Sequence, residues 1–204
     1  MAEKEIIFKS GNLKIEGLFE RISDDKGVVV THPHPLYGGN MHNHVVRTIS
    51  AAYREKGYST LRFNFMGVEG SEGSFDQGIG EQENVKAALS YLSAIGLSNI
   101  DLAGYSFGAW VNAAGVENFE LAERLVLVSP PVSFMDFSPV KQSDKIQLII
   151  AGTEDDIADW RKIEAYLSKW NQKAIFKTIQ GADHFYGGKT AELKRIIHEF
   201  LTTH

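Results

Sequence analysis

The sequence predicts an α/β fold in which a mostly parallel sheet of about eight strands is flanked by helices. Short runs rich in β-branched residues alternate with longer amphipathic runs, which is the pattern of strands joined by helical crossovers. The chain has 204 residues, a length that one α/β domain commonly reaches. No linker, internal repeat or low-complexity tract interrupts the pattern. We therefore expect residues 1–204 to form a single domain.

The first two strands are predicted to pair as an antiparallel hairpin. Residues 5–8 and 13–19 are extended, largely apolar runs, and Gly11 and Asn12 between them are typical turn residues. The six later strands are short apolar runs that suit a sheet covered on both faces. They are predicted at 28–30, 60–65, 100–103, 125–128, 146–151 and 174–179.

Helices are predicted where apolar residues recur at the 3.6-residue helical period. The first ends before Gly57, since glycine readily takes the left-handed conformation that follows many helices. A glycine-rich loop at 67–80 precedes the second helix. The five predicted helices span 41–56, 81–95, 107–116, 159–170 and 193–201.

The composition excludes several classes of protein. The chain has no cysteine, so disulfides, thiolate metal sites and a cysteine nucleophile are absent. A net charge of −5 without a basic stripe argues against a nucleic-acid partner. No apolar run approaches the roughly 20 residues that span a bilayer, so no membrane partner is expected. The N-terminal residues lack a basic segment followed by an apolar core, and we expect a cytoplasmic protein.

The sequence GYSFG at 104–108 stands between a predicted strand and a predicted helix. In that context the pattern G-x-S-x-G is typical of a nucleophile elbow, a sharp turn that presents the central serine above the sheet. Larger residues at the two glycine positions would collide with neighbouring elements, and the following helix offers free N–H groups to an anion. Ser106 is therefore the predicted nucleophile of an acyl-transfer site.

Three further segments accompany this elbow: HPHPLYGGNMHN at 32–43, RFNF at 62–65 and GVEGSEG at 67–73. With the order of elements, they make the chain resemble the α/β-hydrolase fold over essentially its whole length. The resemblance is closest to small cap-less bacterial hydrolases related to the dienelactone-hydrolase-like and X-Pro-peptidase-like branches. That subgroup tends to carry Arg where Met66 stands and Gly where Glu69 stands. If that arginine binds an anionic group, this chain prefers a different substrate.

A serine hydroxyl needs a base within hydrogen-bond reach to become a nucleophile near neutral pH. His184 follows the last predicted strand and precedes the last helix, the loop that faces the elbow in the resembled fold. We therefore expect His184 to be the base. His198, in the terminal helix, and His204, the last residue, are expected to be solvated.

The third member of such a site is a carboxylate that orients the imidazole. The loop after the seventh predicted strand contains three adjacent acids, Glu154, Asp155 and Asp156. Asp155 matches the position of the acid in the resembled family, with Asp156 and then Glu154 as alternatives. Asp183 adjoins the histidine, but neighbours in an extended turn usually point apart.

Two backbone N–H groups are expected to bind the developing oxyanion. One is that of Phe107, directly after the nucleophile. The other is expected in the loop after the strand at 28–30, where prolines 33 and 35 have no N–H. Leu36 is the predicted second donor if this loop matches the His-Gly-x segment of many relatives, and His34 and Tyr37 are the alternatives.

Four histidines between positions 32 and 44 invite a metal hypothesis. His42 and His44 are two residues apart at the start of a predicted helix, so their side chains diverge by about 200 degrees. His32 and His34 flank a proline, with no acidic ligand nearby in sequence. We expect no metal.

The loop at 67–80 matches neither a dinucleotide nor a phosphate-loop pattern, so no cofactor is expected, and we interpret the loop as one wall of the active site.

Only residues 129–145 separate the sixth and seventh predicted strands, which is too short for a helical cap. The site should therefore be open, with a shallow apolar wall. Tyr37, Tyr105 and Phe185 are the predicted substrate-binding residues. Further wall candidates are Pro130, Pro131, Phe134, Met135, Phe137 and Trp110.

The sequence thus predicts a serine hydrolase that cleaves small carboxylic esters or related acyl substrates through Ser106, His184 and Asp155 and an acyl-enzyme. A peptidase, amidase or thioesterase of the same fold is the alternative. A binding protein that retains the fold without catalysis is a third hypothesis, which the ordered Ser, Asp and His disfavour.

Overall fold

The computed structural model describes residues 2–203, which form one eight-stranded sheet and five α-helices. His204 lies outside the described residues. The strands are β1 (Lys4–Ser10), β2 (Leu13–Glu20), β3 (Lys26–Thr31), β4 (Ser59–Phe63), β5 (Asn99–Tyr105), β6 (Ala122–Val128), β7 (Ile146–Gly152) and β8 (Ile175–Ile179). The helices are α1 (His44–Glu55), α2 (Ile79–Ala94), α3 (Phe107–Ala114), α4 (Trp160–Trp170) and α5 (Thr190–Thr203).

The strand order in the sheet is β1-β2-β4-β3-β5-β6-β7-β8. The pairs β1/β2 and β2/β4 are antiparallel, and the other five are parallel. Because β3, β5, β6, β7 and β8 run in the same direction, their carboxyl ends meet at one edge of the sheet. The predicted hairpin and the mostly parallel sheet are therefore confirmed.

Alternating side chains of the central strands pack on opposite faces of the sheet. Val29 of β3 and Leu102 of β5 belong to a core shared with α2, α3 and α4. Val28 and Val30 belong to a second core shared with α1 and α5. All three valines are fully buried, and each such side chain contributes about 1.5 to 3 kcal/mol relative to an exposed one. Helices on both faces thus hold the central strands.

Some element boundaries differ from the predicted ones because side chains intervene. The first helix begins at His44 rather than at residue 41, because the Asn43 side chain caps it by accepting the N–H of Val45. The fourth strand ends at Phe63 rather than at residue 65. There the Asn64 N–H donates to the Glu16 carbonyl and the Phe65 N–H to Nε2 of His32.

Residues 129–145, between β6 and β7, contain turns and no helix. No cap therefore covers the carboxyl edge of the sheet in this part of the chain. Within residues 2–203, the helices are too short or too polar to cross a membrane.

Candidate active site

Ser106 lies on the turn between β5 and α3 with φ 55° and ψ −119°. A non-glycine residue rarely takes this conformation, so packing must hold it there. A Cβ at Gly104 would lie 2.6 Å from Thr31 Oγ1, and a Cβ at Gly108 would lie 2.8 Å from the carbonyl oxygen of His32. Only glycine at both positions lets α3 and β3 approach closely enough to form the elbow.

Three predicted residues from distant parts of the chain meet at this turn. The Ser106 Oγ lies 2.9 Å from Nε2 of His184, and the two atoms form a hydrogen bond. Nδ1 of the same imidazole lies 2.9 Å and 3.0 Å from the two carboxylate oxygens of Asp155. All three residues are buried, with exposed fractions of 7%, 7% and 3%.

The proton positions in this group follow from hydrogen-bonding capacity. An ionised carboxylate only accepts hydrogen bonds, so Nδ1 of His184 carries the proton that it shares with Asp155. Nε2 then has a free lone pair and accepts the Ser106 hydroxyl proton. A histidine in this state can take the serine proton as the serine attacks an acyl carbon.

The structure distinguishes among the three acids after β7. Besides facing His184, the Asp155 Oδ1 atom accepts the N–H groups of Ile157 (3.0 Å) and Ala158 (2.7 Å). Glu154 and Asp156 are exposed, and their side chains take no part in these contacts. Asp155 is thus the acid that the fold brings to the imidazole.

The loop that carries His184 is held from the sheet. The Tyr105 hydroxyl donates to the carbonyl oxygen of His184 at 2.8 Å, and the two rings pack with their centroids 5.5 Å apart. Burial, together with the nearby Asp155 carboxylate, raises the pKa of the Tyr105 hydroxyl above its ordinary value, so it remains a donor. Further along, the hydroxyls of Tyr186 and Ser129 share a hydrogen bond of 2.8 Å.

The backbone of the 34–39 turn makes Leu36 a poor candidate for the second oxyanion donor. Its N–H donates to Nδ1 of His34 at 3.2 Å, and its side chain points outward with 68% exposed. The N–H of Tyr37 is also engaged, by the His34 carbonyl oxygen at 3.1 Å. The prediction of Leu36 as the second oxyanion donor is therefore corrected, because its N–H is already bonded within the turn.

The His34 N–H has no acceptor among residues 2–203, and His34 lines the cavity above Ser106. The Phe107 N–H, the other predicted donor, lies in the first turn of α3, where no helical acceptor is available. Both residues line the same cavity as Ser106, and binding of an oxyanion by their N–H groups stays a prediction.

A cavity of about 420 Å³ opens directly above Ser106. Its lining residues come from the 33–39 turn, the Ser106 elbow, the 131–135 segment and the loop of His184 and Phe185, together with Asn43 and Ile157. No Asp, Glu, Lys or Arg is among its lining residues. The lining residues are Pro33, His34, Tyr37, Gly38, Gly39, Asn43, Tyr105, Ser106, Phe107, Pro131, Phe134, Met135, Ile157, His184 and Phe185.

The three predicted substrate-binding residues all border this cavity, although they differ in accessible surface. Tyr37 and Phe185 are 75% and 61% exposed, whereas Tyr105 is almost fully buried. Three of the further wall candidates, Pro131, Phe134 and Met135, also line the cavity.

Three of the other wall candidates lie elsewhere. Phe137 packs in the core against Trp170, Trp110 donates its indole N–H to the Asp136 carbonyl oxygen, and Pro130 is buried outside the lining.

The glycine-rich loop does not form a wall of the cavity, contrary to the sequence-based interpretation. None of residues 67–80 is in the lining. Phe75 instead supports the site from behind, with its ring 5.0 Å from that of His34 and 5.8 Å from that of Phe107. Met66 and Glu69, which differ from the resembled subgroup, also lie outside the lining.

The four histidines near the N-terminus have separate environments. His32 is fully buried, with Nδ1 bonded to the Pro33 carbonyl oxygen and Nε2 accepting the Phe65 N–H. Burial lowers the pKa of His32 to about 4, so the ring is neutral near pH 7. His42 lies 3.8 Å from Glu69, and His44 bonds to the Phe185 carbonyl oxygen. No group of three or more potential ligands is present among the described residues.

Sequence reasoning did not single out Asn43, Gly38 and Gly39 as parts of the site. Asn43 both caps α1 and lines the cavity, and an Asn before a helical pattern is a recognisable capping signal. A Cβ at Gly39 would collide with the Pro33 carbonyl, so the turn closes only with glycine there.

Comparison with known proteins extends these observations. The chain is 34% identical to an uncharacterized protein of Rickettsia prowazekii, over 98% of this chain and 89% of that protein. An α/β serine hydrolase homologue from Coxiella burnetii is 32% identical, with a TM-score of 0.89 over 98% of each chain. An α/β serine hydrolase without a lid from Xanthomonas campestris is 29% identical, with a TM-score of 0.89 over 99% of this chain and 94% of that one. No protein-family model matches the chain.

Proposed function

Because this chain belongs to the α/β serine hydrolases, we propose that it cleaves small, uncharged carboxylic esters through a covalent acyl-enzyme. The hydrolase class, the cap-less α/β-hydrolase fold and the predicted family resemblance are confirmed by these relatives. One observation carries the finer proposal, which is the continuous hydrogen-bonded path from Ser106 through His184 to Asp155.

In the acylation step, Ser106 Oγ attacks the ester carbonyl carbon while its proton passes to Nε2 of His184. The resulting imidazolium is stabilised by the Asp155 carboxylate that faces Nδ1. The carbonyl oxygen becomes an oxyanion and accepts the N–H groups of Phe107 and His34. As the carbon–oxygen bond to the alcohol breaks, His184 returns the proton to the departing oxygen.

In the deacylation step, a water molecule takes the place of the alcohol. His184 removes its proton as the water oxygen attacks the acyl carbon, and the same two N–H groups receive the oxyanion again. As the intermediate collapses, the bond between Ser106 Oγ and the acyl carbon breaks, His184 returns the proton to Oγ, and the carboxylic acid is released.

The cavity supports the choice of substrate class. Since its lining has no Asp, Glu, Lys or Arg, a charged substrate group would lose water without gaining an ionic partner. The volume of about 420 Å³ fits a small ester.

Labelling with a fluorophosphonate probe tests this proposal, followed by assays with p-nitrophenyl esters, anilides and thioesters. We expect wild-type protein to be labelled and to prefer esters. Ser106→Ala should fold but lose both labelling and hydrolysis, whereas Ser98→Ala, at an exposed serine distant from the cavity, should retain both. Hydrolysis retained by Ser106→Ala would contradict the nucleophile assignment, and a preference for anilides or thioesters would favour the amidase or thioesterase alternative.

A further inference from the structure

Two side chains hold the backbone of the loop after β8: that of Tyr105, in a strand of the sheet, and that of His44, in a helix. Nε2 of His44, the first residue of α1, lies 2.7 Å from the carbonyl oxygen of Phe185. This carbonyl directly follows the residue whose imidazole faces Ser106. The helix on one face of the sheet thus contacts the loop that holds His184.

The direction of this hydrogen bond follows from its chemistry. A carbonyl oxygen only accepts hydrogen bonds, so Nε2 of His44 must carry a proton. The donor is present whether the imidazole is neutral or charged.

Three successive residues of the loop each make a hydrogen bond to a different part of the chain. Tyr105 of β5 donates to the carbonyl of residue 184, and His44 of α1 donates to that of residue 185. The Tyr186 hydroxyl bonds to Ser129, which follows β6. Of the three anchors, those at Tyr105 and Tyr186 are buried in the core, whereas His44 is exposed at the edge of the site.

We propose that His44 is a positioning residue for the hydrolytic reaction, which holds the His184 imidazole in line with Ser106 through the Phe185 carbonyl. The proposal rests on the proposed function. His44 is not among the cavity-lining residues, so it acts through the backbone of the loop. Small displacements of a catalytic base reduce rates strongly, so we expect even an exposed anchor to affect turnover.

Two substitutions separate the donor from the rest of the side chain. His44→Phe keeps an aromatic ring but removes the N–H, whereas His44→Gln retains an N–H donor at similar reach. We expect His44→Phe to lower kcat by about threefold to tenfold with little change in KM, the range for loss of one neutral hydrogen bond. His44→Gln should keep wild-type kcat. Arg47→Ala, one turn further along α1 and outside the cavity lining, is the matched control and should match wild type.

The ¹⁵N spectrum of the histidine rings gives a second measurement that does not depend on turnover. We expect the His44 signal to show a protonated Nε2 at neutral pH, and to remain so in the Ser106→Ala protein. A His44 ring protonated only at Nδ1 would overturn the proposal. If His44→Phe fails to fold, His44→Ala, which also removes the N–H, replaces it in the same kinetic comparison.

The kinetic outcomes distinguish this proposal from the proposed function. A His44→Phe protein that turns over esters as fast as wild type would overturn the positioning role alone. The same holds if His44→Gln loses as much activity as His44→Phe, or if KM changes and kcat does not. A wild-type protein that neither reacts with fluorophosphonate nor hydrolyses any ester would overturn the proposed function, and the positioning role with it.

Discussion

The carboxylate of Asp155 accepts two backbone N–H groups as well as the imidazole of His184. These bonds fix the rotation of the carboxylate, so both oxygens face Nδ1 rather than solvent. Asp156, one residue later, is exposed and has no such contacts. At the scale of a single residue, orientation by backbone N–H groups is what makes Asp155 suited to direct the imidazole.

We expect Asp155→Asn to lower kcat by on the order of 10⁴, because the amide favours the wrong tautomer of His184. Asp156→Asn, its matched neighbour, should change kcat little. Steady-state assays with p-nitrophenyl acetate measure both, and circular dichroism checks that each variant is folded. If Asp156→Asn were the more damaging change, the acid would have to be reassigned.

His32 has a structural role that depends on its staying neutral. The ring connects the Pro33 carbonyl oxygen to the Phe65 N–H in a fully buried position. Burial lowers its pKa from the ordinary 6.5 to about 4 in the folded protein. On acidification the unfolded chain therefore takes up this proton before the folded chain does.

The stability due to neutral His32 is complete above about pH 6.5 and is lost progressively as the pH falls towards about 4. We expect this residue to account for about 2 kcal/mol of the decrease in unfolding free energy between pH 7 and pH 5. Urea unfolding of wild type and His32→Gln at both pH values measures it. The decrease should be smaller in the variant, and equal decreases would contradict the assignment.

At the scale of elements, the position of α3 against β3 determines the geometry of the elbow. The two elements approach so closely that a Cβ at Gly108 would lie 2.6 Å from Thr31 Oγ1 and 2.8 Å from the His32 carbonyl oxygen. The N–H of Phe107 belongs to the same first turn of α3. Any shift of α3 therefore moves an oxyanion donor together with the nucleophile.

Gly108→Ala is expected to lower the unfolding free energy by about 1 to 3 kcal/mol, the usual effect of overpacking. It should also reduce kcat/KM at least tenfold, because α3 must move away from β3. Gly187→Ala is the control, since a Cβ there meets nothing within 4 Å and the backbone is not left-handed. Thermal melts and ester assays test the pair, and a fully active Gly108→Ala protein would refute the close-packing argument.

At the scale of the whole molecule, the short 129–145 connection leaves the carboxyl edge of the sheet open. Phe134, in this connection, lines the cavity and is 67% exposed. Tyr37 and Phe185 also line it and are 75% and 61% exposed. An acyl chain that extends past these side chains returns to water. We therefore expect an acyl chain to find apolar contact close to Ser106 and little beyond it.

We expect kcat/KM for p-nitrophenyl esters to be highest from acetate to butyrate and to level off or fall by octanoate. Burial of a CH₂ group contributes about 0.8 kcal/mol only where the group leaves water. A series of esters of increasing chain length measures this dependence. A steady increase through decanoate would mean that the cavity continues as a deep apolar tunnel.

Local sequence patterns were enough to predict the alternation of strands and helices, the elbow at Ser106 and the positions of His184 and the acidic loop. These features depend on local patterns, because β-branched runs, helical periodicity and glycine at tight turns act over a few neighbouring residues. The resemblance of the segments at 32–43, 62–65 and 67–73 added the cap-less hydrolase family. Local patterns cannot show which of several adjacent groups points into a site.

The folded chain shows which of these adjacent groups enters the site. Gly152 of β7 packs directly against the Ala182 carbonyl, which brings the acidic loop beside the His184 loop and turns Asp155 rather than Asp156 towards the imidazole. The 35–37 helical turn uses the Leu36 N–H internally and leaves that of His34 available. The contact between His44 and Phe185 joins residues 141 positions apart. Such pairings follow from the packing of elements distant in sequence, and only the folded chain fixes them.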